Sequence, residues 1–441
     1  MTDLQYDYQS VSTHTKTNGI HNLVLAHQTE IETVNSIPCF FWGTLTEPYT
    51  TAKCWATLAK VVRSSFGPVP PSLRDPIVSA GAERMRFEGF SSCNGVYVRL
   101  DMKPEAIDGE FIASGTTNVD FNDPLLNALN AIQKGEKVTL AVGQQEVQVI
   151  TAKTSASEKK VTLPTRWIKG LTSVQLYLAD MDLKLEVSRL QAIQLFQSLP
   201  KGTIKGDFFI TKRAGKCMFS TLATPDSVRI GGVQRLRLLE GILPIVEKIS
   251  IYESSDKQTC ALVCDFPKMQ LLMAFSPDAY RGFSGEGKAL ENMTQSLPEE
   301  WIFGLNKLLK SNEAFDPTML AIENDIDFGT MDHLTSSLSS IGLLGYDLTE
   351  RNHFYRQLPF KTERILSLNP RLKNAKKLID NKDIQIVANT NGHVEAIVKG
   401  SGVFHKVTID AKSQRCTCDW FTAYQGKRGI CKHILAVKMI A

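Results

Sequence analysis

No apolar run in the sequence approaches eighteen residues, so no stretch reads as a membrane-spanning helix. A strong excess of either charge is missing too. Lysine and arginine total 50 against 46 acidic residues, a formal net charge of +4, which is little for a chain coated in phosphate contacts. Cysteine is scarce and odd in number, nine in 441 residues, which excludes a disulfide framework. The opening residues, Met1-Thr-Asp-Leu-Gln-Tyr6, lack the basic and apolar stretches of a secretory signal. A cytoplasmic protein is therefore expected. There is no internal repeat, and neither H-E-x-x-H nor G-x-S-x-G occurs.

What is present is an ordinary globular composition, 43% hydrophobic and 22% charged, at a length that suits two to four domains with cores of their own. The informative stretch comes last: Cys416-Thr-Cys418, then twelve residues, then Cys431-Lys-His433. Three thiols and an imidazole make a complete tetrahedral set. With no position left open, the ion would be one structural Zn2+ that holds shape and does not activate water. Residues two apart on an extended strand share a face, so Cys416 and Cys418 converge. On a helix residues two apart diverge. Cys431 is therefore expected in the lead-in to a helix over Lys432–Ile440, with His433 in its first turn.

The order CxC, spacer, CxH followed by Ile-Leu-Ala-Val resembles the SWIM zinc finger, a small ββα module, over roughly residues 385 to 441. The resemblance implies a role in binding DNA or protein partners. Charge points the same way. From residue 401 onward seven basic residues face two acidic ones, leaving 43 basic and 44 acidic residues in the rest of the chain. The whole positive surplus sits in the finger. Lys412, Arg415, Lys427, Arg428 and Lys432 are the candidate contacts to nucleic acid or another partner. The plainer reading is that such bases neutralise the net negative charge of three thiolates on Zn2+.

The chain in front of the finger reads as α+β and multi-domain, with antiparallel sheets and helices. Residues 1–160 form an N-terminal α+β region. It has a helix from Thr51, a strand over Val96–Leu100, a short helix over Pro124–Gln133, and a hairpin pairing Lys137–Val142 with Glu146–Ala152. Residues 161–287 read as a mainly antiparallel β domain. Ser188 caps a helix there, and strands follow over Asp207–Lys212, Lys216–Thr221, Val228–Ile230, Val233–Leu239, Ile245–Tyr252, Thr259–Phe266 and Met269–Ser276. Residues 288–380 turn helical. The helix Met331–Ile341 and the ribbon Leu343–Leu358 have the outline of a winged helix, but the helix carries almost no positive charge, which favours packing over DNA reading. Pro370–Lys377 reads as a solvated basic helix. Residues 381–441 hold the finger, entered through strands over Ile384–Ala388, Val394–Val398 and Val403–Ile409.

Catalysis is not expected. Gly282-Phe-Ser-Gly-Glu-Gly-Lys288 has the spacing of a phosphate-binding loop, but Ala289 stands where a Mg2+-binding hydroxyl belongs and no strand leads directly into it. Cys260 and Cys264 lie on one face of an apolar strand and read as small buried hydrophobes. A longer resemblance is carried by Arg86-Phe-Glu88, Ser91-Ser-Cys-Asn-Gly-Val-Tyr97, Leu163-Pro-Thr-Arg-Trp-Ile-Lys-Gly170, Arg281-Gly-Phe-Ser-Gly-Glu-Gly287, Tyr355-Arg-Gln-Leu-Pro-Phe360 and Pro370-Arg-Leu372. Together they are similar to bacterial SWIM-finger proteins encoded beside MoxR-type AAA+ ATPases and von Willebrand A-domain proteins. That resemblance implies a non-catalytic adaptor whose partners are proteins of an ATPase-driven system.

Overall fold

The computed structural model describes residues 4–8, 11–28, 39–66, 75–81, 84–111, 115–143, 159–163, 165–202, 204, 206–277, 282–283, 290, 314–323, 325–356, 358–360, 370–390, 392–400, 402–410, 413–426 and 428–441. Its backbone is a nine-stranded antiparallel sheet. From one edge the order is Met181–Ser188, Lys248–Ser254, Cys260–Phe266, Met269–Phe275, Val96–Met102, Met85–Phe90, Ile77–Ala80, Gly115–Val119 and His27–Gln28. The join in the middle pairs Met269 with Met102 and Phe275 with Val96. Residue 160 thus does not separate two sheets, because strands from both sides of it share this one. Its buried side chains join those of the helices and of a second sheet in one cluster running from Leu23 to Phe360.

A five-stranded sheet lies in the order Thr13–Thr17, Ile20–Leu25, Lys137–Gly143, Cys39–Leu45, Ile107–Phe111. Lys137–Gly143 runs parallel to Ile20–Leu25 and antiparallel to Cys39–Leu45. Both its edges are taken in this way, and the hairpin partner expected at 146–152 lies outside the described residues. Helix α1 (Pro48–Arg63) starts on a proline at its first turn and buries Ala52, Trp55, Leu58, Val61 and Val62, the stripe its periodicity predicts. Helix α2 (Asp123–Ala131) is capped by Asn122, which accepts from the Leu125 amide at 3.0 Å.

Helix α3 (Thr165–Ala179) has no counterpart in the periodicity reading. Every residue from 171 to 178 is buried, so no polar face breaks the pattern into a stripe. Helix α4 (Arg189–Gln197) begins at Ser188 as expected, with a full capping box to Gln191. The segment Val233–Leu239 corrects the expected strand: it is a 3-10 helix. Val233, Leu236 and Leu239 recur every three residues, the period of that helix, and all three are buried. The Arg235 side chain, also buried, closes the turn by donating to the carbonyls of Gly95, Gly231 and Ser276.

The helix Phe328–Ser340 and the hairpin Leu344–Asp347 with Asn352–Tyr355 are present as read. They pack onto α3, and the Gln175 side chain accepts from the Tyr346 amide at 2.9 Å. The C-terminal unit is a four-stranded antiparallel sheet, Ile384–Thr390, His393–Lys399, Phe404–Asp410 and Ser413–Cys416, with the helices Pro370–Asp380, Asp419–Tyr424 and Lys432–Lys438. It has its own core of buried side chains. Among the described residues no helix is long and apolar enough to cross a membrane.

Candidate metal centre

Cys416 ends the last strand, where it pairs with Val407 of the neighbouring strand. The next residue keeps the chain extended. The Thr417 amide donates to the Lys406 carbonyl at 3.1 Å, and the Thr417 hydroxyl accepts from the Lys406 amide at 3.0 Å. With Thr417 held to the neighbouring strand, Cys416 and Cys418 turn inward together. Cys418 is the N-cap of the helix Asp419–Tyr424. That helix ends at Gln425, whose φ of 46° turns the chain back. Cys431 then caps the helix Lys432–Lys438, its sulfur accepting from the Ile434 amide at 3.5 Å. His433 sits in the first turn and is 3% exposed.

The ligand atoms of Cys416, Cys418, Cys431 and His433 all lie within 4.8 Å of one another, and all four residues are buried. Sulfurs about 2.3 Å from a tetrahedral zinc stand roughly 3.8 Å apart, so the cluster has the size of that site. Nδ1 of His433 lies 3.7 Å from the Cys416 sulfur, while its Nε2 is buried with no hydrogen-bond partner among the described residues. The thiols divide unequally. Hydrogen bonding from Cys416, helped by His433 and the Ile434 amide, pulls Cys431 down to about 4. The same bond to Cys431, together with burial, pushes Cys416 up, and burial pushes Cys418 up. One thiolate shared among three close sulfurs is a set that a divalent cation completes. The donors fit one structural Zn2+, and no position remains for water or substrate.

The finger is also fastened from outside. Arg371, on the helix Pro370–Asp380, donates to the carbonyls of Arg428 at 2.8 Å and Ile430 at 2.9 Å. Its guanidinium also lies 4.8 Å from the Trp420 ring centre. Arg428 lies 5.0 Å from the same ring and 4.5 Å from that of Tyr424. The helix read as a solvated basic face does expose Lys373, Lys376 and Lys377, but it buries Leu372, Ala375 and Leu378 into the finger's core. The sequence pattern assigns no role to Arg371, Thr417 or Trp420. Only the packing shows their roles.

Of the five expected contact residues, Lys412 and Lys427 lie outside the described residues. Arg415 is exposed on the last strand, Lys432 is half-buried at the first turn of its helix, and Arg428 is engaged with the two rings. Cys260 and Cys264 are buried in one strand as read, and burial raises both thiols, Cys260 to about 12. Most of the Gly282–Lys288 loop lies outside the described residues. Gly282 and Phe283 are packed against the body, where the Phe283 amide donates to the Asn94 carbonyl at 2.9 Å.

Three of the sequence blocks behind the longer resemblance, those holding Arg86 and Glu88, Tyr97, and Arg356, meet in a second buried cluster. Glu88 accepts from Arg356 at 2.5 Å and from the Tyr97 hydroxyl at 2.7 Å. Arg356 also donates to the Leu171 carbonyl at 3.0 Å. Beside them Asp101 holds Arg86 at 3.1 Å and Arg99 at 2.8 Å, and Arg99 reaches the Tyr346 carbonyl at 2.8 Å. Blocks far apart in sequence are thus tied by paired, desolvated charge across the sheet, α3 and the hairpin.

The family model of the SWIM zinc finger matches residues 405–440. No curated protein is similar to the chain. Among solved structures, the proliferating cellular nuclear antigen of Entamoeba histolytica is 12% identical, with a TM-score of 0.34 over 54% of this chain and 98% of that one. The PCNA2–PCNA3 complex of Sulfolobus tokodaii is 9% identical, with a TM-score of 0.35 over 54% and 99%. Likeness at that level bears on nothing further here.

Proposed function

We propose that the protein is a non-catalytic, zinc-stapled interaction protein in which the SWIM finger presents a small docking surface and the α+β body carries it. The observation behind this is the outer face of the finger sheet. The registers Ile397 with Lys406 and Lys399 with Phe404 put Ile397 and Phe404 on one face, where they are 38% and 71% exposed. Val387 and Val403, at 56% and 55%, add to the exposed apolar surface of the unit. Large apolar side chains grouped on a small unit mark an interaction site. Two of the finger's seven bases are already committed, Lys406 to Glu395 at 3.0 Å and Arg428 to Trp420 and Tyr424. A four-ligand zinc set with no open position, and the buried body thiols Cys260 and Cys264 raised by burial, support a binding role over a chemical one.

The resemblance drawn from the sequence names the partners to try, a MoxR-type AAA+ ATPase and a von Willebrand A-domain protein. Co-elution of the purified chain with either one is expected, and Phe404→Glu should abolish it without loss of zinc. Unchanged co-elution of that variant, or none by the unmodified chain, would remove the reading. A second reading, phosphate contact at the finger through Arg415 and Lys432, draws on the exposure of Arg415. It predicts duplex binding that Arg415→Ala weakens.

A further inference from the structure

A second surface lies on the body, in residues that neither resemblance involves. Helix α1 has three charged side chains, Lys53, Lys60 and Arg63, and all are basic. Two of these intervals, 53 to 60 and 60 to 63, are helical repeats that place the bases along one stripe. The opposite side of the helix is buried against the sheet. Beside the stripe runs a groove of about 450 Å3, bounded by α1, Leu126 and Asn130 of α2, and Leu238 of the 3-10 helix. Its lining includes those three bases and no acid. Arg63 is partly engaged, donating to Asp123 at 2.5 Å and to the Phe121 carbonyl at 2.9 Å. Lys53 lies 5.3 Å from the centre of the Tyr49 ring. Lys60 is exposed and, among the described residues, has no ion-pair partner.

We propose that this groove docks the sugar–phosphate backbone of a nucleic acid duplex, independently of base sequence. The argument is charge complementarity joined to the kinds of donor present. Lysine, arginine and asparagine are side chains that hold phosphate oxygens, and Lys53, Lys60, Arg63 and Asn130 line the groove. A protein partner would call for the opposite composition, because protein interfaces are depleted in lysine and anchored by aromatic side chains. No aromatic residue lines this groove. For the same reason it offers no platform for stacking bases, so contact stays with the backbone. The proposal is independent of what the finger binds.

The test is anisotropy of short fluorescein-labelled duplexes of two unrelated sequences, titrated with the full-length zinc-loaded protein between about 50 and 200 mM salt. The unmodified chain should bind both duplexes, with affinity falling steeply as salt rises. The double variant Lys53→Gln, Lys60→Gln should weaken both by the same factor and flatten the log–log salt slope by about 2. A Lys53→Arg, Lys60→Arg variant should restore binding, which separates charge from folding. The proposal is overturned if the unmodified chain binds neither duplex at the lowest salt, or if the glutamine variant keeps affinity and slope. It also falls if Arg415→Ala, Lys432→Ala alone removes all binding. Polyglutamate binding more tightly than duplex at the same groove would make the occupant an acidic polypeptide and overturn it too.

Discussion

At the scale of single residues, the zinc ligands depend on neighbours that never touch the ion. Thr417 fixes the strand between two ligands through both its amide and its hydroxyl. Losing such an outer support costs about 10- to 100-fold in metal affinity. Thr417→Val should therefore weaken zinc binding by about tenfold, measured by competition with a chromophoric chelator. In the body, Glu88 and Arg356 are 0% and 1% exposed in their side chains. Removing one partner strands a buried charge, so Arg356→Met should destabilise by about 3–5 kcal/mol. The double variant with Glu88→Gln should recover part of that loss in denaturant titration. The four metal ligands were legible because ligand chemistry is local and the spacing alone brings them together. The Glu88–Arg356 pair joins residues 268 positions apart, and no local pattern announces it.

At the scale of elements, legibility followed how much of each element faces water. Helices α1 and α4 and the helix Phe328–Ser340 have one wet side or a capping residue, and all three were found. Helix α3 is buried around most of its length and left no stripe to read. The Val233–Leu239 segment looked like a strand because apolar residues dominate it, yet its most deeply buried apolar residues, Val233, Leu236 and Leu239, fall three apart. The helix Pro370–Asp380 shows the limit from the other side. Its lysines were read correctly, but Arg371 clasps two carbonyls of the finger loop. Charge-assisted hydrogen bonds contribute about 1.5–3 kcal/mol each. Arg371→Ala should accordingly speed amide hydrogen exchange across the finger, leaving exchange in the nine-stranded sheet unchanged.

At the scale of the whole molecule, the chain is a body built on one long sheet and a finger with its own core. The sheet draws strands from both sides of residue 160, a pairing between residues such as Met102 and Met269 that no stretch of sequence displays by itself. The zinc finger over residues 405–440 was legible because its ligands and the elements that hold them are close in sequence, whereas the helix Pro370–Asp380, read with residues 288–380, packs into its core. Since zinc holds only the finger, removing it should unfold residues 400–441 and leave the body's cooperative transition in place. The most direct test of the central claim, a closed four-ligand zinc site stapling the C-terminal unit, is metal analysis of the purified chain beside Cys416→Ser. The account predicts one equivalent of zinc in the unmodified chain and a large loss in the variant. Full zinc occupancy in Cys416→Ser would contradict it.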